Sequence, residues 1–215
     1  MGSEKRVLGV VLLVLLLAIF CARSVTSMRS KSATWDETHY FAIGKYLLKN
    51  LEWDVQGCIL HPPLSFYLQG VPLLPFETGD EEFRALPDEQ RTPQILGLAD
   101  VVRGQRLLAV PSNRDNFLLD LSRSTTILVG VLLGVLVYCW SLFLYGRRAA
   151  VLAAILYTFS PNILAHARLI TPDLILTACW FGTLLFLWLS LSRRSLAHSV
   201  TAGFFLGLSL LAAHL

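Results

Sequence analysis

Residues 125–145 read TTILVGVLLGVLVYCWSLFLY, and Gly146-Arg147-Arg148 follows at once. No charge interrupts the run, and about 20 consecutive apolar residues at about 1.5 Å each cross the hydrocarbon of a bilayer. This stretch decides the fold class: an all-α integral membrane protein, crossed by several helices. The rest of the chain repeats the pattern. Val7 to Ala22 is a shorter apolar run, about 24 Å long at that rise. Ala149 to about Ala167 is interrupted by Ser160-Pro161, Pro172 to Leu191 is continuous, and a last run begins near Leu196 or Val200 and reaches Leu215. Composition agrees, since 54% hydrophobic and 15% charged residues, with a mean hydropathy of +0.59, exceed what a soluble domain needs.

Charge placement supplies the topology. Of the 15 Asp and Glu residues, only Asp173 lies beyond Asp120. If the spans alternate, Lys5-Arg6, Arg147-Arg148 and Arg193-Arg194 fall on one side, and the positive-inside rule makes that side the cytoplasm. The N-terminus is then cytoplasmic in a cell inner (plasma) membrane protein. The chain divides into a first span over 1–22, an extracytoplasmic loop over 23–123, and spans two to five over 124–215. Lys5-Arg6, the apolar run and a cut after Ser24 would also suit a signal peptide, and both readings place the following segment outside. The fifth span stops at Ala213-His214-Leu215 without a basic flank, the pattern expected of the front of a longer protein. Cys21, Cys58, Cys139 and Cys179 have neither CxxC nor zinc-ligand spacing, and the mixed charges of the loop do not form a nucleic-acid stripe.

Thr34-Trp35-Asp36-Glu37 opens the informative part of the loop. Thr34 with Glu37 is a capping box, and Tyr40, Ile43, Leu47 and Leu51 follow at helical spacing. The spacing predicts an amphipathic helix lying in the membrane interface. Capping and the helix dipole would account for Asp36 and Glu37 without any chemistry. His61-Pro62-Pro63 then forces an extended entry into a second short helix from Leu64, which holds His61 on a stiff backbone. Residues 77–120 alternate acids with arginines and read as a solvated loop containing one or two short helices. Arg123 stands at the outer mouth of the second span, either snorkelling to the interface or contacting a phosphate. In the second outer loop, from His166 to Asp173, Thr171 suits a helix cap and Pro172 a first turn. Asp173 is only partly explained by the dipole, because an acid at the lip of a lipid-embedded helix is costly.

The order of these motifs resembles the C-type glycosyltransferases. Trp35-Asp36-Glu37 before an amphipathic helix is similar to their first-loop acidic motif. His61-Pro62-Pro63-Leu64 resembles the bacterial members related to protein O-mannosyltransferases and to the aminoarabinose transferases of lipid A. Arg123-Ser124, Leu144-Tyr145-Gly146-Arg147-Arg148, Ser160-Pro161-Asn162, Ala165-His166-Ala167-Arg168-Leu169 and Thr171-Pro172-Asp173 are also similar. Relatives often carry a lysine where the fifth span emerges, and Ala213-His214 stands there instead.

The resemblance implies sugar transfer from a polyprenyl-phosphate donor, on the extracytoplasmic face and with inversion, to a glycan, lipid or protein acceptor. Such a displacement needs one carboxylate to take the acceptor proton, and fixed positive charge for the departing phosphate. The expected roles are Asp36 as base, Glu37 as its support, Asp173 as second acid, Arg168 and Arg123 as phosphate contacts, and His61 as a positioning group. A divalent cation, magnesium or manganese, would bridge Asp36 and Asp173 where one is used. The family's later spans and C-terminal outer domain are absent from these residues, so the 215-residue chain alone is expected to be inactive. Two other classes compete: a non-catalytic membrane subunit, and a transporter of a lipid-linked substrate. A transporter would place polar groups near the bilayer middle, where these spans hold little beyond Ser, Thr and Cys.

Overall fold

The computed structural model describes residues 2–50, 62–76 and 93–212, without the side chains of 2–5, 50 and 93–100. All regular structure among the described residues is helical. Helices α1 (Gly2–Arg29), α5 (Phe117–Tyr145) and α8 (Asp173–Arg193) are long and apolar enough to cross a membrane. Helices α6 (Arg147–Phe159) and α7 (Pro161–Ala167) form one broken span, bent by 58°. The break follows from Pro161, which pushes Ser160 out of the helical region to φ −64°, ψ 119°. Helix α9 (Leu196–Ala212) is apolar but shorter. Between α1 and α5 lie α2 (Trp35–Asn50), α3 (Leu64–Gly70) and α4 (Pro93–Leu108), with 3-10 turns at Val71–Leu73 and Pro111–Asn116. The protein is a multi-pass, all-α membrane protein, as its apolar runs predict.

The spans alternate in space. At one end, the start of α1 meets the end of α5 and the start of α6: a methyl group built on Gly9 would lie 2.8 Å from the Tyr138 hydroxyl and 3.5 Å from the Arg147 side chain. There too, Arg193 at the end of α8 stacks on the Phe143 ring of α5, 5.3 Å from its centroid. The middle is closed by small residues. Gly130 and Gly134 on α5 leave room for Phe20 and Leu17 of α1, where added methyls would sit only 2.9 and 2.7 Å from those side chains. Lipid tails give apolar helices no hydrophobic reason to associate, so such close packing replaces it. Phe20 of α1 is fully buried beside Leu133, Tyr157 and Leu174.

At the opposite end, α2, α3 and α4 build a second core of Tyr40, Phe41, Ile43, Leu47, Phe66, Leu107, Leu118 and Ile170. Here the structure corrects the expectation for α2. Its stripe does not face a membrane surface, because the helix is buried on every side from Glu37 to Leu47. Two backbone contacts cover it. A methyl on Gly104 of α4 would fall 2.0 Å from the Thr38 carbonyl oxygen, and one on Gly70 of α3 would fall 2.3 Å from the Gly44 carbonyl carbon. Lys45, buried with them, donates to the Phe76 carbonyl. Leu51, expected to continue the stripe, lies outside the described residues.

Candidate active site

The centre of the second core is an ion pair. Arg123 Nε and Nη2 donate to Glu37 Oε1 and Oε2, both at 2.7 Å, and the two side chains are 1% and 0% exposed. The remaining guanidinium donors go to the carbonyls of Met28, Lys31 and Ser32, each at 3.1 Å. All five N–H groups are therefore spent within the chain. Glu37 also accepts from the Thr34 amide at 2.9 Å, the Thr34 hydroxyl at 3.1 Å and the Ile170 amide at 3.0 Å. The capping box is present only in its Glu-to-backbone half, since the Thr34 hydroxyl turns to the carboxylate. Burial pushes the Glu37 carboxyl up, but the Arg123 hydrogen bonds and charge, with the two amides, outweigh it and hold the group below its ordinary value.

This clamp ties the end of α1, the start of α2, the first turns of α5 and the 168–172 loop to one point. Arg123 so placed has no N–H left for a phosphate, and Glu37 meets no solvent. Asn113, 3% exposed, extends the anchoring: its amide oxygen accepts from Leu118 and Leu119 at the start of α5, and its amide nitrogen donates to Leu108 at the end of α4.

Asp36 and Asp173 are exposed, one in the first turn of α2 and the other in the first turn of α8. Their relation is visible through Tyr40, a buried residue one turn beyond Asp36. Its phenol is held well above its ordinary value by burial first, then by the charge of Asp173, then by that of Asp36. The clamp thus brings two acids, far apart in sequence, to bear on one group. His166 Nδ1 lies 3.4 Å from Asp173 Oδ2. Both line a cavity of about 190 Å³ with Asn162, Ile163, Leu174 and Thr177. Arg168, half-buried at the end of α7 with φ −96°, ψ 4°, stands between His166 and the clamped Ile170. His61 lies outside the described residues.

The loop before Asp173 is held a second time. Gln69 Nε2 donates to the Thr171 carbonyl at 3.0 Å and to Thr126 Oγ1 at 3.3 Å, while the Ser122 hydroxyl donates to the Gln69 carbonyl at 2.7 Å. Thr171, expected to cap α8, makes no side-chain cap; Pro172 occupies that position. The short α3 is thereby fixed between α5 and the loop. Nothing in the sequence marked Tyr40, Gln69 or Asn113 as more than core or loop residues, because their partners lie on other elements. His166 and Asn162 stood within family-like motifs, but neither carried an expected role.

No three His, Cys, Asp or Glu side chains come together among the described residues.

Residues 120–213 match the model of a family described as dolichyl-phosphate-mannose-protein mannosyltransferase. The match is under half of the chain. It takes in α5 to α9 with Arg123, His166, Arg168 and Asp173, and stops short of Asp36 and Glu37. This region is similar to a membrane glycosyltransferase family, in accord with the motifs it contains. No curated protein and no solved structure gives a match.

Proposed function

We propose that the chain carries the catalytic face of a membrane glycosyltransferase, which moves a sugar from a polyprenyl-phosphate donor to an acceptor hydroxyl or amine with inversion. The observation that carries this reading is that Asp36 and Asp173 sit on segments held by one buried ion pair, through Glu37 and the Ile170 amide, with Asp173 lining a cavity beside His166 and Asn162. The family similarity over residues 120–213 supports the reaction class. In the displacement, the acceptor heteroatom bonds to the anomeric carbon and its proton passes to Asp36. The bond from that carbon to the phosphate oxygen breaks with its electrons, and the polyprenyl phosphate leaves as an anion. A phosphate leaving group needs no general acid, so a single base suffices.

Asp173, with His166 at 3.4 Å, orients the acceptor. Arg168 is the cation offered to the departing phosphate, the charge needing to be fixed in place before the anion forms. Arg123 and Glu37 take a different role from the one their sequence positions imply: they set the distance between the two acidic loops. His61 remains a positioning candidate. A magnesium or manganese ion, where bound by the two acids, would add positive charge for the phosphate.

The basic pairs support a reading in which this face lies outside the cytoplasm of an inner (plasma) membrane. A cysteine at Ser30 should then react with an impermeant maleimide in intact cells, in a Cys58→Ser background, whereas labelling only after permeabilisation would invert the topology. For the chemistry, Asp36→Asn is compared with wild type in membranes holding the full-length protein and a polyprenyl-phosphate sugar. Loss of a general base costs about 10²–10⁴ in rate. Undiminished transfer at equal expression would remove Asp36 from the mechanism.

A further inference from the structure

A second and larger cavity, of about 860 Å³, opens on the groove between the end of α1 and the start of α5. Its apolar lining is Val25, Met28, Phe117 and Leu121, which belong to two helices long and apolar enough to cross a membrane. Its charged lining is balanced, with Arg29 and Arg114 against Asp115 and Asp120, and Ser112 and Ser124 adding hydroxyls. The backbone here is unusual: Asp115 and Asn116 take φ values of 56° and 61°, successive left-handed residues with side chains. Asp and Asn are the side chains that tolerate this conformation best. Asp115 faces Arg114 at 3.7 Å, both nearly fully exposed, which leaves the pair available to a ligand at little cost. Asp120 has one carboxylate oxygen buried without a hydrogen bond, 3.7 Å from Arg123 of the clamp.

We infer that this groove binds the headgroup of a zwitterionic aminophospholipid of the surrounding bilayer. The apolar lining suits the upper acyl chains. A phosphate would lie between Arg29 and Arg114, and a primary ammonium between Asp115 and Asp120. The lining has two positive and two negative side chains, which complements a neutral headgroup carrying both charges and gives no excess for an anionic lipid. Because Asp120 touches Arg123, the bound lipid would bear on the same clamp that holds the acidic loops. The inference rests on the membrane fold and does not depend on sugar transfer.

The test is lipid retention by the full-length protein, delipidated and returned to nanodiscs of phosphatidylethanolamine, phosphatidylcholine and phosphatidylglycerol in equal parts, and read by native mass spectrometry. Phosphatidylethanolamine should be kept over phosphatidylcholine by about tenfold, the size of one charge-assisted hydrogen bond. Asp115→Asn, at an exposed position where Asn keeps the left-handed backbone, should bring the two lipids closer together, and Asp120→Asn should bring them level. Arg114→Gln should weaken retention of both alike. Equal retention of all three lipids, a preference for phosphatidylglycerol, or an unchanged preference in both Asp variants would overturn the assignment.

Discussion

Arg123 and Glu37, 86 residues apart, meet through two hydrogen bonds of 2.7 Å in a space closed to solvent. An unpaired charge there would be costly, yet neither partner has an unused charged hydrogen-bonding edge: the guanidinium spends its other donors on three carbonyls that follow α1 or end it, and the carboxylate takes amides from Thr34 and Ile170. The pair therefore joins four segments that the chain brings from either side of the long loop. The exposed acids Asp36 and Asp173 are carried on two of these segments.

Breaking that pair from one side should be severe. Glu37→Gln leaves a buried guanidinium without its counter-charge, and removal of one partner of a buried pair costs about 3–5 kcal/mol. Arg123→Lys keeps the charge but cannot span the carboxylate and three carbonyls, so it should fall by a similar amount. The double replacement Glu37→Met with Arg123→Met should recover part of the loss, because neither charge of the clamp is then left without the other, while the part-exposed Asp120 gives up only its looser 3.7 Å approach to Arg123. Thermal unfolding of the full-length protein in detergent checks the order; additive losses in the double variant would refute coupling.

The same pair predicts a response to acid. Glu37 ordinarily titrates near 4.5 and is held below that when folded. A depressed carboxyl contributes stability that is fully present above the unfolded value and is lost as pH falls through the folded one. The unfolding temperature should hold between pH 7 and pH 5 and drop below about 4.5. In Glu37→Gln that drop should be smaller, since the group responsible for it is gone. Profiles of the same steepness for the wild type and the Glu37→Gln variant would assign the acid sensitivity elsewhere.

The spans were legible because lipid imposes one rule along the whole chain: apolar length with basic ends. Ser160-Pro161 even marked the break, since the constraint before proline is local. The core at the opposite end was not legible. The stripe of Tyr40, Ile43 and Leu47 signals an apolar face, but periodicity does not tell whether lipid or another helix covers it. What covers α2 are Gly104 and Gly70, whose meaning lies in the backbone opposite them. The acids at 36 and 173 were visible as residues, and their shared field at Tyr40 was not, because no local pattern encodes a contact across 133 residues such as Glu37 to the Ile170 amide.

Glycine contacts give a sharper stability test. Gly104→Ala would press a methyl against the Thr38 carbonyl at 2.0 Å, and Gly70→Ala would meet the Gly44 backbone at 2.3 Å. Neither obstacle is a flexible side-chain end, so α2 must shift, at a cost of about 1–3 kcal/mol or more. Gly203→Ala on α9 meets nothing within 4 Å and should be neutral or raise helix stability by up to about 1 kcal/mol. Unfolding temperatures of the three variants rank these sites, and an unperturbed Gly104→Ala protein would show that α2 and α4 do not meet there.

Arg168 separates the reading of the site from the reading of the fold. It is half-buried at the end of α7 and its side chain makes no hydrogen bond or ion pair with a described residue, so its replacement removes no contact of the clamp. If it meets the departing phosphate, Arg168→Gln should lower the turnover number by about 10²–10³, the usual loss for one preorganised group at a developing anion. KM for the donor should change less, because the anion's full charge appears only as the bond breaks. The unfolding temperature should stay at the wild-type value. Donors of graded leaving ability provide the decisive control. A better leaving group demands less help, so the penalty of Arg168→Gln should shrink as the phosphate is made a better leaving group. A penalty that stays constant along the series would place Arg168 away from the breaking bond.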